Sequence, residues 1–149
     1  MSDRNTVTST LEFPYRRSLG PVIGAFMTAL AERRILGAPL ASGDVLVPPL
    51  EYDPATGASI SADLVEVGPG GQVTTWAWVS HPTERHPLQR PFAFALIRLD
   101  GAATALVHAV DAGTMDAMRT GMRVRPRWRY QPVGAITDIE AFVPEGGQA

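Results

Sequence analysis

TALVHAVDAGTMDAMRTGMRVRPRWRY, residues 104–130, changes its period twice. Thr104 to Val110 is apolar and β-branched, the composition of a strand. Asp111 to Arg119 (DAGTMDAMR) drops that pattern for a short helix or 3₁₀ turn. Met122 to Tyr130 is a strand again, with Arg123, Arg125, Arg127 and Arg129 alternating with Val124, Pro126, Trp128 and Tyr130. Outward from this core lie further strand candidates at Ile60 to Val67, Gln72 to Ser80, Phe92 to Leu99 and Ala135 to Phe142. Gly68-Pro69-Gly70-Gly71, Asp100-Gly101 and Pro132-Val133-Gly134 supply turns between them. Short antiparallel strands with a helical interruption between the third and fourth main ones fit a five-stranded Greek-key barrel of OB type, expected over residues 59–143. A split sandwich is the alternative. The chain is expected to be mainly β.

Ahead of the barrel the pattern is helical over residues 18–36. Ser18 can cap, Pro21 suits a first turn, and Val22, Ile23, Phe26, Met27 and Leu30 recur at helical spacing. Arg33 and Arg34 complement the C-terminus and Gly37 closes it. Val22, Phe26, Met27 and Leu30 make an apolar face wide for a surface helix, and we expect it to meet another protein. Residues 1–17 are polar, with Phe13, Pro14 and Tyr15 as docking points, and are expected to form an extended arm. The tail at 144–149, PEGGQA, is expected to be disordered.

Between helix and barrel, GAPLASGDVLVPPLEYDPATG (residues 37–57) outlines two knuckles around a Pro-Pro hairpin. A zinc knuckle needs paired thiolates or imidazoles followed by Gly. Pro39, Ser42, Asp53 and Thr56 occupy the ligand positions, and the chain has no cysteine. Residues 37–58 are therefore expected to be a degenerate ribbon without zinc, held by Leu40, Val45, Leu46, Val47, Leu50 and Tyr52.

Hydrophobic content of 45% and charged content of 19% describe an ordinary globular domain. A formal net charge of −2 gives no global attraction to nucleic acid or anionic lipid. All 13 basic residues are Arg. Absence of cysteine excludes disulfides, thiol catalysis and thiolate metal sites. MSDRNTVTSTLEF has neither a basic n-region nor an apolar h-region, and no apolar run approaches the roughly 18 residues of a membrane span. The expectation is a cytoplasmic protein without membrane contact.

Catalytic candidates are poor. His81 and His86 flank a Pro-rich loop with Glu84, but Pro82 and Pro87 oppose the helix that a metalloprotease spacing requires. Ser80 and His81 are adjacent on one strand and point to opposite faces. Trp76 and Trp78 share a face, and either fill the barrel or, with Val73, Thr75, Ala77 and Val79 inside, point outward to cover the helix or meet a partner. Arg123, Arg125, Arg127 and Arg129 lie roughly 7 Å apart on one strand face, a stripe suited to phosphates or carboxylates unless it is simply solvated. Pro126 makes that strand an edge or a bulge.

Taken in order, these pieces resemble the family of zinc-ribbon/OB-fold proteins associated with acyl-CoA metabolism, over about residues 14–142. The carriers are PYRRSLGPV with its helix and RRILG, the Pro-Pro hairpin, GPGGQVTTWAWVSHP, RPFAFALIRLDG, and TGMRVRPRWR with its Gly-Met-x-Val signature. The resemblance implies a non-catalytic subunit bound to a thiolase-fold aldolase or acyltransferase, with steroid side-chain acyl-CoA esters among the substrates. It implies partner contacts through the helix, the ribbon and one barrel face, with Val22, Phe26, Met27, Leu30, Trp76 and Trp78 as candidates. Arg123, Arg125, Arg127 and Arg129 are the candidates for CoA or another anion. The zinc of that family is not carried over, and a CoA ester is expected only through the partner complex. A free-standing OB module binding nucleic acid or a small anionic ligand is the alternative; the net charge and single basic stripe favour the subunit, so no nucleic acid is expected.

Overall fold

Five strands close into a barrel in a computed structural model that describes residues 7–146. The expectations for residues 1–6 of the arm and 147–149 of the tail lie outside the described residues. Helix α1 is Pro21–Ala31, followed by β1 (Ile35–Pro39), β2 (Val45–Leu46) and β3 (Val65–Val67). The barrel strands are β4 (Gly71–Val79), β5 (Phe92–Leu99), β6 (Leu106–Val110), β7 (Arg123–Trp128) and β8 (Ile139–Pro144). They run in the ring order β4-β5-β6-β8-β7, antiparallel except for β6 beside β8, where Val110 pairs with Phe142. That is the strand order of an OB barrel, and the expected mainly β class stands.

Closure happens at Gly71, which pairs with Leu99 on one side and Val124 on the other. A Cβ at Gly71 would lie 2.7 Å from the Arg98 carbonyl oxygen, so glycine lets two strands converge on it. The interruption after β6 is a 3₁₀ turn, Met115–Ala117, not a longer helix; Met118 and Met122 behind it are buried in the core.

The barrel starts at Gly71 and not near residue 59. Within the expected strand at Ile60 to Val67, the Ser61 hydroxyl bonds Asp63 and makes a local turn, leaving only Val65–Val67 as strand. That strand pairs with β1 (Ile35↔Val67), so β2-β1-β3 form a separate small sheet. Gly37 does not end the helix. It sits buried in β1, where a Cβ would collide with Val45 and Val47. The helix ends earlier, and Arg33 at φ 60° makes the left-handed exit.

Ser18 does not cap α1. Gly20 is the N-cap and Pro21 opens the first turn. The free N–H groups are met from the ribbon instead: Ile23 N–H donates to Glu51 Oε1 at 2.9 Å and Val22 N–H to Oε2 at 3.3 Å. The carboxylate also answers the positive end of the helix dipole.

Val22, Phe26 and Leu30 are buried within the chain, Phe26 at 2% exposure, and Met27 is partly buried. This corrects their assignment to a partner surface. The small sheet alone could not cover them, but Phe26 and Leu30 join one core with Ile35, Val47, Val67 and the barrel's Ile97 and Phe142. Of the residues expected to hold the ribbon, Leu46 and Val47 are buried and Leu40 and Val45 are partly buried, whereas Leu50 and Tyr52 are exposed. The sheet is tied to the barrel through Thr104, whose hydroxyl accepts from Val47 N–H and donates to Val47 C=O, both at 2.8 Å.

Candidate functional site

Trp76 and Trp78 face the core, the first of the two arrangements open to them, and not the one with Thr75 and Ala77 inside. Pairing steps from Val73↔Ile97 to Thr75↔Leu96, so Thr74 is an extra residue in a bulge. One extra residue inverts every later side chain of the strand. Trp76 and Trp78 then stand opposite Ala95 and Ala93, whose small side chains make room for the indoles, and both are only partly exposed. Thr75 and Ala77 take the outer face.

The outer face of β5 is apolar too. Phe92 and Phe94 contact edge to face at 4.9 Å, and the Pro-rich loop at residues 80–91 folds over them with Leu88. His86 supports that loop: its Nδ1 accepts from Thr83 N–H at 2.8 Å, and its ring lies 5.8 Å from Phe92. Among the described residues no group of three or more His, Asp or Glu could hold a metal ion.

The arginine stripe is largely neutralised within the chain. Arg123 forks onto Asp100 with two bonds of 2.6 Å and also reaches Glu145. Arg127 binds Glu140 at 2.6 Å and Asp111 at 2.9 Å, and Arg90 joins Asp111 from the loop. Burial alone would raise the Asp111 carboxyl, but Arg90 and Arg127 override it and hold its pKa below the ordinary value. A groove of about 890 Å³ runs past these pairs, between β8 and the loop after β6. Arg123 and Arg127 are thus committed to carboxylates, whereas Arg125 and Arg129 enter none of the ion pairs among the described residues. A register shift between Arg127 and Trp128 takes Arg129 off the stripe.

Arg129 instead borders a second cleft, of about 470 Å³, that sequence reasoning missed. Its floor is Phe94, Val107 and Ala109 of β5 and β6; Ile136 and Ile139 form a wall. The loop joining β7 to β8 fixes that wall through Asp138. This fully buried carboxylate accepts from the N–H groups of Val133, Gly134 and Ala135 at 2.8, 2.7 and 3.1 Å. Burial would raise its pKa, but the three N–H donors outweigh it and the net shift is downward. His108 also lines the cleft, its ring edge-on to Phe142 at 5.4 Å. Burial pushes the imidazole down, so it is neutral at physiological pH, and Nδ1 accepts from Ala109 N–H at 2.9 Å. The only advance signal was turn chemistry at Pro132-Val133-Gly134, which does not reveal a buried acid four residues on.

Residues 64–129, spanning β3 through β7, match the family model described as ChsH2, C-terminal OB-fold domain, which supports a relationship to that family over this stretch. Among curated proteins none matches the chain.

At the level of particular proteins, the chain is similar to a chain of the solved "Ltp2-ChsH2(DUF35) aldolase", with 25% identity and a TM-score of 0.61. The similarity covers 87% of this chain and 98% of that one. A second similar structure is a protein of unknown function from the DUF35 family of Sulfolobus solfataricus, at 21% identity and a TM-score of 0.59, covering 72% of this chain and 77% of that one. The second likeness bears on the fold alone. No described helix is long and apolar enough to cross a membrane.

Proposed function

We propose that this protein is a non-catalytic OB-fold subunit that binds and stabilises a thiolase-fold aldolase or acyltransferase acting on acyl-CoA esters, with steroid side-chain esters as the substrate class and the cytoplasm as its place of work. The observation that carries the reading is the likeness to the Ltp2-ChsH2(DUF35) aldolase, because it extends beyond the barrel to 87% of this chain. A likeness of that span is longer than the barrel alone. The arrangement of polar groups agrees: Arg123 and Arg127 are paired with carboxylates of the same chain, and His86 accepts a backbone N–H within its loop.

The contact surface in this reading differs from the one the sequence suggested. With Val22, Phe26 and Leu30 inside, the apolar groups open to a partner ahead of the helix are Leu11, Phe13 and Tyr15 on the arm and Leu19 just after it, 57–81% exposed. Leu50 and Tyr52 of the ribbon are exposed as well. Arg125, exposed and unpaired among the described residues, is the member of the stripe left for a partner carboxylate or a CoA phosphate.

The test is purification of the native protein from its host with mass spectrometry of what accompanies it. Retro-aldol cleavage of a β-hydroxyacyl-CoA by the recovered enzyme is then measured with and without this chain. A thiolase-fold subunit in stoichiometric amount, and cleavage that needs both chains, is the expected result. A chain that purifies alone, and a thiolase-fold enzyme indifferent to its addition, would overturn the proposal. Phe13→Asp with Tyr15→Asp should weaken the association at least tenfold without changing the melting temperature of the free subunit.

A further inference from the structure

The cleft beside Arg129 lies where the topology of an OB barrel gathers its ligand-facing parts. Its floor comes from β5 and β6, the second and third strands of the barrel, and its rim from the β4–β5 and β7–β8 loops, through Pro87 and Thr137. Those strands and loops are the surface on which such barrels bind ligands. A volume of about 470 Å³ falls in the size range of a single small molecule.

From these observations we propose that the cleft binds a small amphipathic carboxylate, its apolar body on Phe94, Val107 and Ile136 and its carboxylate on Arg129. The apolar floor sets the first half of that chemistry. Val107 is 62% exposed in the middle of a strand, an arrangement that leaves apolar area for an occupant to cover. Arg129 sets the second. It is exposed, it forms no ion pair with a described residue, and it stands at the edge of an apolar surface, where a carboxylate gains most from a guanidinium. Glu140, the other charged residue of the lining, is already bonded to Arg127.

The site is also held in shape before anything binds. Asp138 pins three successive N–H groups of the β7–β8 loop, and Arg129 N–H donates to the Asp138 carbonyl at 2.7 Å. A rigid wall spares a ligand the cost of ordering it. Single-stranded nucleic acid, the other common occupant of this face, needs several cations along a track. Here Glu140 shares the rim with one free arginine, and the chain carries a net charge of −2. The larger groove is the weaker candidate because three of its four arginines, Arg90, Arg123 and Arg127, already have carboxylates.

Binding is read by amide NMR shifts of the full chain titrated with decanoate, with decan-1-ol as the uncharged counterpart and a thymidine oligonucleotide as the competing class. Decanoate should give saturable shifts at Phe94, Ala109, Ile136 and Thr137. Arg129→Gln should weaken decanoate roughly tenfold or more while leaving decan-1-ol unchanged, as expected for one charged hydrogen-bonding partner. Thr137→Trp should block both by filling the mouth. Arg129 and Thr137 are exposed, so both variants should keep the wild-type melting temperature. Absence of saturable shifts at these amides, or equal decanoate affinity in Arg129→Gln, would overturn the proposal. Salt-sensitive oligonucleotide binding at the same amides, tighter than that of decanoate, would reassign the face to nucleic acid.

Discussion

Asp138 is the one buried polar or charged residue among the described residues. It is fully buried and accepts three backbone hydrogen bonds, which together shape the loop before β8. Its folded pKa lies below its ordinary value of 3.8. The ionised group therefore stabilises the fold fully above roughly pH 4, and that contribution disappears as pH falls through the folded value. Asp138→Asn retains the shape, loses the charge and replaces an acceptor by a donor aimed at N–H groups. We expect it to cost about 2–3 kcal/mol at pH 7, from urea melts, and to flatten the acid limb of the stability curve below about pH 4. An Asn variant with wild-type stability at pH 7 would mean that the loop is held by its 3₁₀ turn alone. A further acid-limb share belongs to Asp100 and Asp111, whose pKa values also lie below normal through their arginines, against the effect of burial.

Between elements, the joint most open to test is the helix cap. Glu51 reaches across from the ribbon to the first turn of α1, and it can do so only because Gly20 has no Cβ: one built there would collide with the Glu51 carboxyl group. Glu51→Ala should cost about 1 kcal/mol by loss of the cap and of its charge at the dipole. Gly20→Ala, whose φ of −68° suits any residue, should cost a similar amount by displacing the carboxylate. In the Glu51→Ala background the same change should be neutral or stabilising, and additive costs in a double-mutant cycle would show that the two residues act separately. This joint also marks what the sequence could reveal. Strand-type runs bounded by turn residues exposed four of the barrel strands to within a few residues, and period 2 helped where a strand has a wet face and a dry one. The cap, the bulge at Thr74 and the shortening of the Ile60 to Val67 strand were not legible. The cap depends on a partner distant in sequence and the bulge on one inserted residue, neither of which changes local composition, while the strand is cut short by the Ser61–Asp63 turn inside a strand-like run. The candidate cleft was hidden for the same reason: Phe94, His108, Arg129 and Ile136 come from four separate segments and carry no shared spacing.

For the whole molecule, the helix, small sheet and barrel share one hydrophobic cluster, so the ribbon has a source of stability other than a metal. Its two turns are closed by their own groups. Leu40 N–H donates to the Asp44 carbonyl and Gly57 N–H to that of Asp53, while the Asp53 side chain accepts from Ala55 N–H. Elemental analysis of protein purified without chelator should therefore find well under one equivalent of zinc, and EDTA should leave the melting temperature unchanged; a stoichiometric metal would require ligands other than Pro39, Ser42, Asp53 and Thr56. The shared core makes a sharper claim about cooperativity. Phe26 belongs to the helix yet lies in one cluster with Ile97 and Phe142 of the barrel. Phe26→Ala should cost about 3–5 kcal/mol, the usual loss for a fully buried phenylalanine. Because the cluster is continuous, the loss should appear equally in far-UV circular dichroism and in fluorescence dominated by Trp76, Trp78 and Trp128 of the barrel, as a single shifted transition. A fluorescence transition that stays in place while the helical signal is lost would divide the molecule into independent units. It would also return α1 to the role of a detachable interface helix, free to exchange its contacts with the barrel for contacts with a partner.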